Sequence, residues 1–210
     1  MKASIIVNGD LKNIDLIKKE CSDSDLVLCA DGGAKYAYDA GVIPDYLIGD
    51  FDSINSSIFD YYKGKKVKIE TYPSEKDYTD TELCVNKSID LGCTKICIIG
   101  GIGDRIDHSL GNIGLLNYIN EKGILGYLSC DKCSIFLCSN EMEFIKDDFS
   151  LLSIIPFGGD AIGVTLNGLK YPLNNADIKL GDPIGISNVI ISNKFKVSLK
   201  KGKILLILSK

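Results

Sequence analysis

Short apolar runs alternate with segments of helical periodicity through the first part of the chain. The runs have the length and composition of buried strands, and the segments between them repeat apolar residues three and four positions apart. The predicted strands are Ala3–Asn8, Leu26–Ala30, Tyr46–Ile48, Val67–Tyr72, Lys95–Ile99 and Ile124–Ser129, and the predicted helices are Leu11–Glu20, Ala34–Ala40, Ser56–Tyr62, Thr79–Leu91 and Ser109–Asn120. This alternation predicts an α/β domain over residues 1–129, with a mostly parallel sheet covered by helices on both faces.

After Ser129 the pattern changes to short apolar runs separated by turn residues. The predicted strands are Ser134–Cys138, Met142–Ile145, Leu151–Pro156, Ile162–Thr165, Gly185–Ile191, Phe195–Leu199 and Ile204–Leu208, and the predicted turns include Asn140, Gly158-Gly159, Asn174-Asn175 and Lys201-Gly202. Many short strands with regular turns are typical of a β-sandwich or a small barrel. We therefore expect a second, all-β domain over residues 130–210.

The composition narrows the possible partners. The chain has 210 residues, of which 45% are hydrophobic and 25% charged, and its net charge is −4. This charge provides no basic field to hold nucleic acid or an anionic membrane. No apolar run approaches the ~20 residues that span a bilayer, and the first turn comes too early for a signal peptide, so we expect a cytoplasmic protein. The eight cysteines are then expected to be buried, reduced thiols, although Cys130-x-x-Cys133 has the spacing of a metal or disulfide pair.

Aspartates follow the ends of successive predicted strands. They are Asp31 after the second strand, Asp50 and Asp52 after the third, Asp77 and Asp80 after the fourth, and Asp104 and Asp107 after the fifth. The carboxyl ends of parallel strands lie at one edge of a sheet, which is where open α/β sheets bind ligands. The turns at the opposite, amino edge are expected to carry only isolated acids, namely Asp10, Asp45 and Asp90.

The pair Asp50 and Asp52, within Gly49–Ser53, invites a divalent cation. Alone, an Asp-x-Asp pair is more often a solvated acidic turn than a metal site. Several carboxylates at one edge repel each other unless a cation lies among them, and Mg²⁺ leaves coordination positions for phosphate oxygens. Two glycine-rich turns, Gly32-Gly33 and Gly100-Gly101-x-Gly103, could supply backbone N–H groups to the same phosphates. Together these features predict a site for Mg²⁺ and a polyphosphate.

Arg105 is the single arginine among 24 Lys and Arg residues, and it closely precedes the single histidine, His108. A guanidinium forks onto phosphate oxygens where an ammonium offers only a point charge, so an arginine here suggests a phosphate contact. An ion pair with Asp104 or Asp107 is the alternative. His108 is expected to cap or orient the following helix rather than to catalyse.

Six short motifs follow one another along the chain: Ala30-Asp31-Gly32-Gly33-Ala34, Gly49-Asp50-Phe51-Asp52-Ser53-Ile54, Lys76-Asp77-Tyr78-Thr79-Asp80, the loop Gly100–His108, Gly168-Leu169-Lys170-Tyr171-Pro172-Leu173 and Ile186-Ser187-Asn188. In this order and spacing, they resemble the thiamine pyrophosphokinase (thiamine diphosphokinase) family over essentially the whole chain. The resemblance implies an α/β domain followed by a β-sandwich, and transfer of a pyrophosphoryl group from ATP to the thiamine hydroxyl, giving AMP and thiamine diphosphate. It also implies a homodimer with the active site between subunits, where thiamine touches the small domain of one chain and ATP the large domain of the other.

The resemblance also implies roles for individual residues. Mg²⁺ would be held by Asp50, Asp52 and Asp80, and these residues with Arg105 would carry catalysis. The nucleotide site would be lined by Asp31, Gly32, Ser53, Lys76, Asp77, Arg105, Asp107 and His108, and thiamine would be held by Ser187 and Asn188. Asp104 occupies a position that varies in the family and is left out of the metal set. Lys76 is expected to face phosphate, because thiamine is itself a cation.

The proton acceptor and the reaction retain alternatives. Asp77 or Asp80 could take the hydroxyl proton, although a metal-bound carboxylate makes a poor base. Another Mg²⁺-dependent phosphotransferase or a pyrophosphatase on the same fold would release ADP, phosphate or pyrophosphate in place of AMP. A non-catalytic nucleotide sensor would bind ATP without turnover, but adenine recognition alone does not need the paired aspartates.

Overall fold

The structure, a computed structural model, describes residues 1–52 and 54–210, and the chain divides into two compact units, Met1–Asp131 and Lys132–Lys210. Strands and helices alternate in the first unit. The strands are β1 (Lys2–Ile6), β2 (Leu26–Ala30), β3 (Tyr46–Gly49), β4 (Lys68–Thr71), β5 (Lys95–Ile99) and β6 (Leu125–Ser129). The helices are α1 (Ile14–Ser22), α2 (Gly33–Asp39), α3 (Ser56–Lys63), α4 (Asp80–Asp90) and α5 (Ile106–Glu121). Polar caps begin three of these helices, since the side chains of Asn13, Asn55 and Thr79 accept hydrogen bonds from the first turns of α1, α3 and α4.

The strands of the first unit form a parallel sheet in the order β4-β3-β2-β1-β5-β6. Helices α1, α2 and α3 contact one another in sequence, and α4 contacts α5. Because α2 and α4 both contact β1 and β2, the two groups of helices must lie on opposite faces. Every residue of β1, β2 and β3 is buried, as expected for strands covered on both sides.

The strand order changes direction at β1. Successive strands β2, β3 and β4 are added on one side of β1, whereas β5 and β6 lie on the other side. The carboxyl edge near β1 and β5 is therefore the switch point of the sheet, which is where open α/β sheets bind ligands. The expectation that Asp10 lies at the amino edge is wrong, because β1 ends at Ile6 and Asp10 follows it at the carboxyl edge.

The second unit contains two antiparallel sheets. Its strands are β7 (Cys133–Cys138), β8 (Glu141–Ile145), β9 (Leu151–Pro156), β10 (Ala161–Asn167), β11 (Leu173–Ile178), β12 (Asn188–Val189), β13 (Lys194–Ser198) and β14 (Ile204–Ser209). One sheet has the order β12-β9-β14-β7 and the other β11-β10-β13-β8. Side chains of both sheets share one buried cluster, including Ile154 and Leu206 from the first sheet and Val164 and Val197 from the second. The prediction of an α/β domain followed by a β-sandwich is confirmed.

Strand β11 was not predicted, because Asn174-Asn175 has the composition of a turn. In the structure β11 lies at the edge of its sheet and exposes both asparagines. Asn175 has φ +51°, its N–H donates to Oγ1 of Thr165 at 3.1 Å, and the pairing with β10 changes register around it. A β-bulge on an edge strand accommodates such a left-handed residue without burying polar side chains.

Most element boundaries differ from the prediction by one to three residues, and two of these differences lie next to predicted site residues. The run Gly185–Ile191 forms a strand only at Asn188–Val189, since Gly185 and Ser187 have φ +95° and +55° and interrupt the extended backbone. Helix α5 begins at Ile106 rather than Ser109, so the glycine-rich loop ends at Arg105.

The buried cysteines behave as core residues. Cys29, Cys84 and Cys97 are fully buried, and burial raises the pKa of each thiol well above its ordinary value. Their thiols therefore stay protonated and unreactive at neutral pH. Across the described parts of the chain, we find no helix with the length and apolarity to cross a bilayer.

Candidate active site

A cavity of about 480 Å³ opens at the carboxyl edge of the first unit, where residues of the loops that follow β1 and β5 line it. Small-molecule sites typically occupy roughly 300–1,000 Å³. The lining residues are Val7, Asn8, Gly9, Asp10, Ala30, Asp31, Tyr36, Thr79, Asp80, Thr81, Gly100, Gly101, Gly103, Asp104, Arg105, His108, Ser109 and Asn112. Four of the predicted site residues thus come together: Asp31, Asp80, Arg105 and His108. Six others lie outside the lining, namely Gly32, Asp50, Asp52, Lys76, Asp77 and Asp107.

The loops after β1 and β5 approach so closely that glycine is required where they meet. A Cβ on Gly9 would lie 1.8 Å from the carbonyl oxygen of Gly100, and Gly100 has φ +76°. The N–H of Asp10 donates to the carbonyl oxygen of Ile102 at 3.1 Å, and the hydroxyl of Tyr36 donates to that of Gly9 at 2.7 Å. The two loops therefore form one wall of the cavity, and its shape depends on the small size of Gly9 and Gly100.

Side chains of α5 hold the glycine-rich loop from behind. The hydroxyl of Ser109 accepts from the N–H of Gly103 at 3.1 Å and donates to its carbonyl oxygen at 3.2 Å, while Nδ2 of Asn112 donates to the carbonyl oxygen of Gly101 at 2.8 Å. Sequence reasoning missed both residues, because their spacing from the loop has no meaning until α5 is placed beside it. Asn8 and Asp10 were missed for the same reason.

Asp31 occupies a strained position directly after β2. Its φ is +41°, which is unusual for a residue other than glycine, and its N–H donates to the carbonyl oxygen of Ile48 at 2.9 Å. A Cβ on Gly49 would lie only 3.0 Å from the Cβ of Asp31. Gly49 thus lets Asp31 lie against the start of the acidic motif, and strain of this kind is common where a fold presents a functional side chain.

The acidic motif is ordered by its own hydrogen bonds. The N–H of Asp52 donates to Oδ1 of Asp50 at 3.1 Å, and the hydroxyl of Ser74 donates to Oδ2 of Asp52 at 3.2 Å. The hydrogen bond from the Asp52 backbone lowers the pKa of Asp50, which keeps its carboxylate anionic. Between the two aspartates, Phe51 has φ +63° and its ring packs on that of Phe59. Ser53, the remaining predicted residue of this motif, lies outside the described residues.

Lys76 and Asp80 form an ion pair at the start of α4. The Nζ of Lys76 lies 2.8 Å from Oδ1 of Asp80, and the two side chains are only 13% and 24% exposed. Thr79 caps the helix by accepting a hydrogen bond from the N–H of Glu82 at 3.2 Å, which fixes Asp80 as its first residue. Asp77 is exposed on the preceding loop. Asp80 therefore presents a carboxylate to the cavity while a cation from its own chain neutralises it.

Arg105 forms a bidentate ion pair with Asp107. Its Nη2 and Nε lie 2.6 and 3.3 Å from the two carboxylate oxygens, and both side chains are exposed. This pairing lowers the pKa of Asp107 and raises the pKa of Arg105. Because water screens the pair, the guanidinium can exchange this partner for a phosphate at little cost. His108 lies in the first turn of α5 and lines the cavity.

The two residues predicted to hold thiamine lie in the second unit and differ from each other. Ser187 is exposed, has φ +55°, and donates its N–H to Oγ of Ser153 at 2.9 Å. Asn188 is buried, and its carboxamide bonds the main chain of Tyr171 in both directions. Ser187 thus offers a hydroxyl to solvent, whereas Asn188 is occupied within the fold.

Mg²⁺ fits the acidic residues by their chemistry. Asp50, Asp52 and Asp80 offer hard carboxylate oxygens, the ligands this ion prefers. Among the residues that the structure describes, no three His, Cys, Asp or Glu side chains lie close enough together to hold a metal by themselves. Proteins usually bind Mg²⁺ through one or two carboxylates, with water and substrate phosphates completing its shell, so the aspartate pair alone meets the requirement.

Comparison with known proteins matches both units. The family model described as the catalytic domain of thiamin pyrophosphokinase matches residues 17–127, and that of its vitamin B1 binding domain matches residues 139–204. Thiamine pyrophosphokinase of Bacillus subtilis is 35% identical over 100% of this chain and 99% of its own length. Thiamine pyrophosphokinase 1 of Oryza sativa subsp. japonica is 28% identical over 82% of this chain and 75% of its own length.

Solved structures give the same result. The crystal structure of the Bacillus subtilis thiamine pyrophosphokinase superimposes with a TM-score of 0.92 at 32% identity, covering 100% of this chain and 99% of that one. The thiamin pyrophosphokinase of Geobacillus thermodenitrificans superimposes with a TM-score of 0.87 at 26% identity, covering 100% and 98%. The chain belongs to the thiamine pyrophosphokinase family.

Proposed function

We propose that this chain transfers a pyrophosphoryl group from ATP to the hydroxyl of thiamine and releases AMP and thiamine diphosphate. One observation carries the proposal: in a chain whose two units match the two domains of this family, the cavity at the carboxyl edge unites glycine-rich loops with Asp31, Asp80 and Arg105. Glycine-rich turns and arginine suit phosphate groups, and carboxylates suit the cation that accompanies them.

The first unit binds the nucleotide in this proposal. The backbone of the loops around Gly9 and Gly100 approaches the phosphates, and Arg105 leaves Asp107 to fork onto the transferred group. Asp31, Gly32, Ser53, Lys76, Asp77, Asp107 and His108 complete the predicted nucleotide-binding set. Of these, Lys76 supplies a second positive charge when it leaves Asp80 for a phosphate oxygen.

Mg²⁺ is part of the same proposal, with Asp50, Asp52 and Asp80 as the carboxylates that would hold it, one or two of them directly, while water and phosphate oxygens complete its shell. When bound, the ion neutralises charge on the phosphate oxygens, which is the main requirement of phosphoryl-group transfer. The protein's part is to keep the three carboxylates anionic and correctly placed. The hydrogen bond from the Asp52 N–H, which lowers the pKa of Asp50, does this for the first of them.

The reaction forms one bond and breaks another at the β-phosphorus. The thiamine oxygen attacks it, and the bond from this phosphorus to the oxygen that bridges it to the α-phosphorus breaks. That oxygen leaves with AMP, and the β- and γ-phosphates stay on thiamine. The hydroxyl proton passes to a carboxylate of the 77–80 segment, where Asp77 and Asp80 are the two candidates.

We further propose that the protein is a cytoplasmic homodimer, with domains at residues 1–129 and 130–210 and a thiamine site that includes Ser187. Exposed apolar side chains support self-association. Ile106 and Leu110 lie one turn apart on α5, and they are 68% and 63% exposed, so they form an apolar patch on that helix. Analytical ultracentrifugation tests this: a dimer mass is expected, and a monomer at all concentrations would contradict it.

Product analysis tests the proposed reaction. The protein is incubated with ATP, MgCl₂ and thiamine, and the nucleotides and thiamine esters are separated by chromatography. AMP and thiamine diphosphate should form in equal amounts and depend on thiamine. Accumulation of ADP or free phosphate would favour a different phosphotransferase or a pyrophosphatase, and ATP binding without turnover would favour a sensor.

A further inference from the structure

Asn188 is a polar residue of the second unit that is almost fully buried, being 3% exposed. Its main chain belongs to β12 and pairs with Leu152 of β9. Its side chain bonds a different segment. Oδ1 accepts from the N–H of Tyr171 at 3.0 Å, and Nδ2 donates to the carbonyl oxygen of Tyr171 at 2.7 Å. The residue therefore connects the edge of one sheet to the segment 168–173 that leads into β11.

The two bonds continue an antiparallel ladder. Leu169 and Ile190 form an antiparallel bridge, and the N–H of Lys170 donates to the carbonyl oxygen of Val189 at 2.9 Å. At the next position along, the partner of Tyr171 would be Asn188, whose main chain is already committed to β9. A carboxamide carries the same donor and acceptor as a peptide group, so the side chain takes the place of the main chain.

The orientation of this carboxamide is determined by its partners. If its oxygen and nitrogen were exchanged, two donors would face each other at one end and two acceptors at the other. Aspartate would lose the donor, and an apolar residue would leave both peptide groups of Tyr171 without these partners. Asn188 itself is buried, which makes the loss of its bonds more costly than at the surface.

The residues next to the Asn188–Tyr171 hydrogen bonds include two that face solvent. Ser187 is exposed with a left-handed φ, and Tyr171 is 61% exposed. On the far side, Gly168 has φ +80°, and a Cβ there would lie 2.6 Å from the carbonyl oxygen of Lys194. The segment thus enters against β13 at Gly168 and is held at its other end by Asn188.

We propose that Asn188 is a positioning residue that fixes the 168–173 segment and the adjoining Ser187, and that it does not contact thiamine. The inference rests on the proposed function for its consequence, since the positioned groups belong to the proposed thiamine site. Its structural part concerns only the Asn188–Tyr171 bonds. The two parts can therefore be tested separately.

Amide exchange tests the structural part in the wild-type protein without substrates. The side-chain NH₂ of Asn188 and the N–H of Tyr171 should exchange slowly, and adding thiamine should leave the NH₂ exchange unchanged. In Asn188→Ala, the N–H of Tyr171 should exchange about tenfold faster or more. Lys170, whose N–H bonds to Val189, should change much less. If the Asn188 NH₂ exchanged freely until thiamine was added, direct contact with thiamine would replace the positioning role.

Kinetics test the functional part. Asn188→Ala should raise the KM for thiamine about tenfold, with kcat changed less and the KM for ATP unchanged. Asn188→Asp keeps the acceptor for the Tyr171 N–H, so its KM should lie between those of Asn188→Ala and the wild type. The control Asn174→Ala alters an exposed asparagine of the same unit and should match the wild type. An unchanged thiamine KM in Asn188→Ala would overturn the positioning role, whereas a wild type that makes no thiamine diphosphate would overturn the proposed function and leave the exchange result standing.

Discussion

At the scale of single residues, the ion pair between Lys76 and Asp80 has the clearest functional consequence. Oδ1 of Asp80 is shielded from water and lies 2.8 Å from the ammonium of Lys76. A divalent cation that used this carboxylate would have to displace Lys76. The lysine would then be available to a phosphate oxygen, so that arrival of the cation and of the nucleotide would favour each other.

Replacing Lys76 with methionine should tighten binding of Mn²⁺, used as the probe ion, to the nucleotide-free protein. We expect about a fivefold gain, equivalent to roughly 1 kcal/mol, which is the size of one modest ion pair. Isothermal titration calorimetry measures it. Lys76→Arg keeps the positive charge and should bind Mn²⁺ like the wild type.

The Asp80→Asn background separates the two assumptions in this prediction. If Asp80 holds the ion, Asp80→Asn should weaken Mn²⁺ binding and remove the effect of Lys76→Met. Equal or weaker binding by Lys76→Met in the wild-type background would show that Lys76 does not compete with the ion.

Arg105 should not be replaceable by lysine. A lysine keeps the charge but not the planar fork, so Arg105→Lys is expected to lower kcat for AMP formation by about 10²-fold. Steady-state assays at saturating ATP and thiamine measure the effect. Because the side chain is exposed and its ion pair with Asp107 is screened, the melting temperature should not change. A near-wild-type kcat in Arg105→Lys would show that Arg105 serves only in the ion pair with Asp107 and not in phosphate binding.

At the scale of loops and elements, the contact between the loops after β1 and β5 shapes the cavity. Gly9→Ala would place a methyl group 1.8 Å from the carbonyl oxygen of Gly100. The resulting displacement should cost about 1–3 kcal/mol of unfolding free energy and raise the KM for ATP. Gly111→Ala is the matched control, because a Cβ at Gly111 in α5 meets nothing within 4 Å. It should be neutral or stabilise by roughly 0.5–1 kcal/mol, the usual gain of alanine over glycine in a helix.

A buried polar network ties α1 to the parallel sheet. The carboxylate of Glu20 accepts hydrogen bonds from Lys2 at 3.0 Å, Tyr127 at 2.7 Å and Ser129 at 2.9 Å. Burial by itself would raise the pKa of Glu20, but the hydrogen bonds from Tyr127 and Lys2 outweigh it and the pKa is lowered. A depressed pKa means that this network stabilises the fold above the unfolded-state pKa of about 4.3 and that its contribution is lost as the pH falls through the lower folded-state value.

Glu20→Gln should therefore be less stable at neutral pH and less sensitive to acid. We expect a loss of about 2 kcal/mol at pH 7, because the buried ammonium of Lys2 loses one of its two carboxylate partners and keeps only Asp23. Between about pH 5 and pH 3 the variant should lose less stability than the wild type. Urea unfolding followed by circular dichroism measures both. The surface variant Glu143→Gln serves as control. Identical pH profiles of stability for Glu20→Gln and the wild type would show that Glu20 does not make the fold's stability depend on pH.

At the scale of the whole molecule, the architecture could be predicted from the sequence because apolar runs and helical spacing record burial directly. Leu26–Ala30, Lys95–Ile99 and Leu151–Pro156 coincide with strands in the structure. Strand β11 was missed because an edge strand needs little apolar surface, and its asparagines look like a turn. The position of Asp10 was missed because the side of the sheet depends on where a strand ends.

The candidate site was predictable only in part for a related reason. Aspartates that follow parallel strands must lie at the same edge of the sheet, so the sequence alone could place Asp31 and Asp80 near each other. The hydrogen bonds of Ser109 and Asn112 to the glycine-rich loop, the Lys76–Asp80 pair and the Asn188–Tyr171 bonds could not. Each depends on how side chains meet once the elements have packed, and no periodicity or spacing encodes that.

The fate of the γ-phosphate of ATP tests the proposed reaction most directly. With ATP labelled at the γ-phosphorus, MgCl₂ and thiamine, pyrophosphoryl transfer in one step puts the label into thiamine diphosphate and leaves unlabelled AMP in equal amount. The alternative is stepwise transfer of single phosphates or hydrolysis. Label in thiamine monophosphate with ADP as the nucleotide product, or label released as free phosphate, would contradict the proposed function.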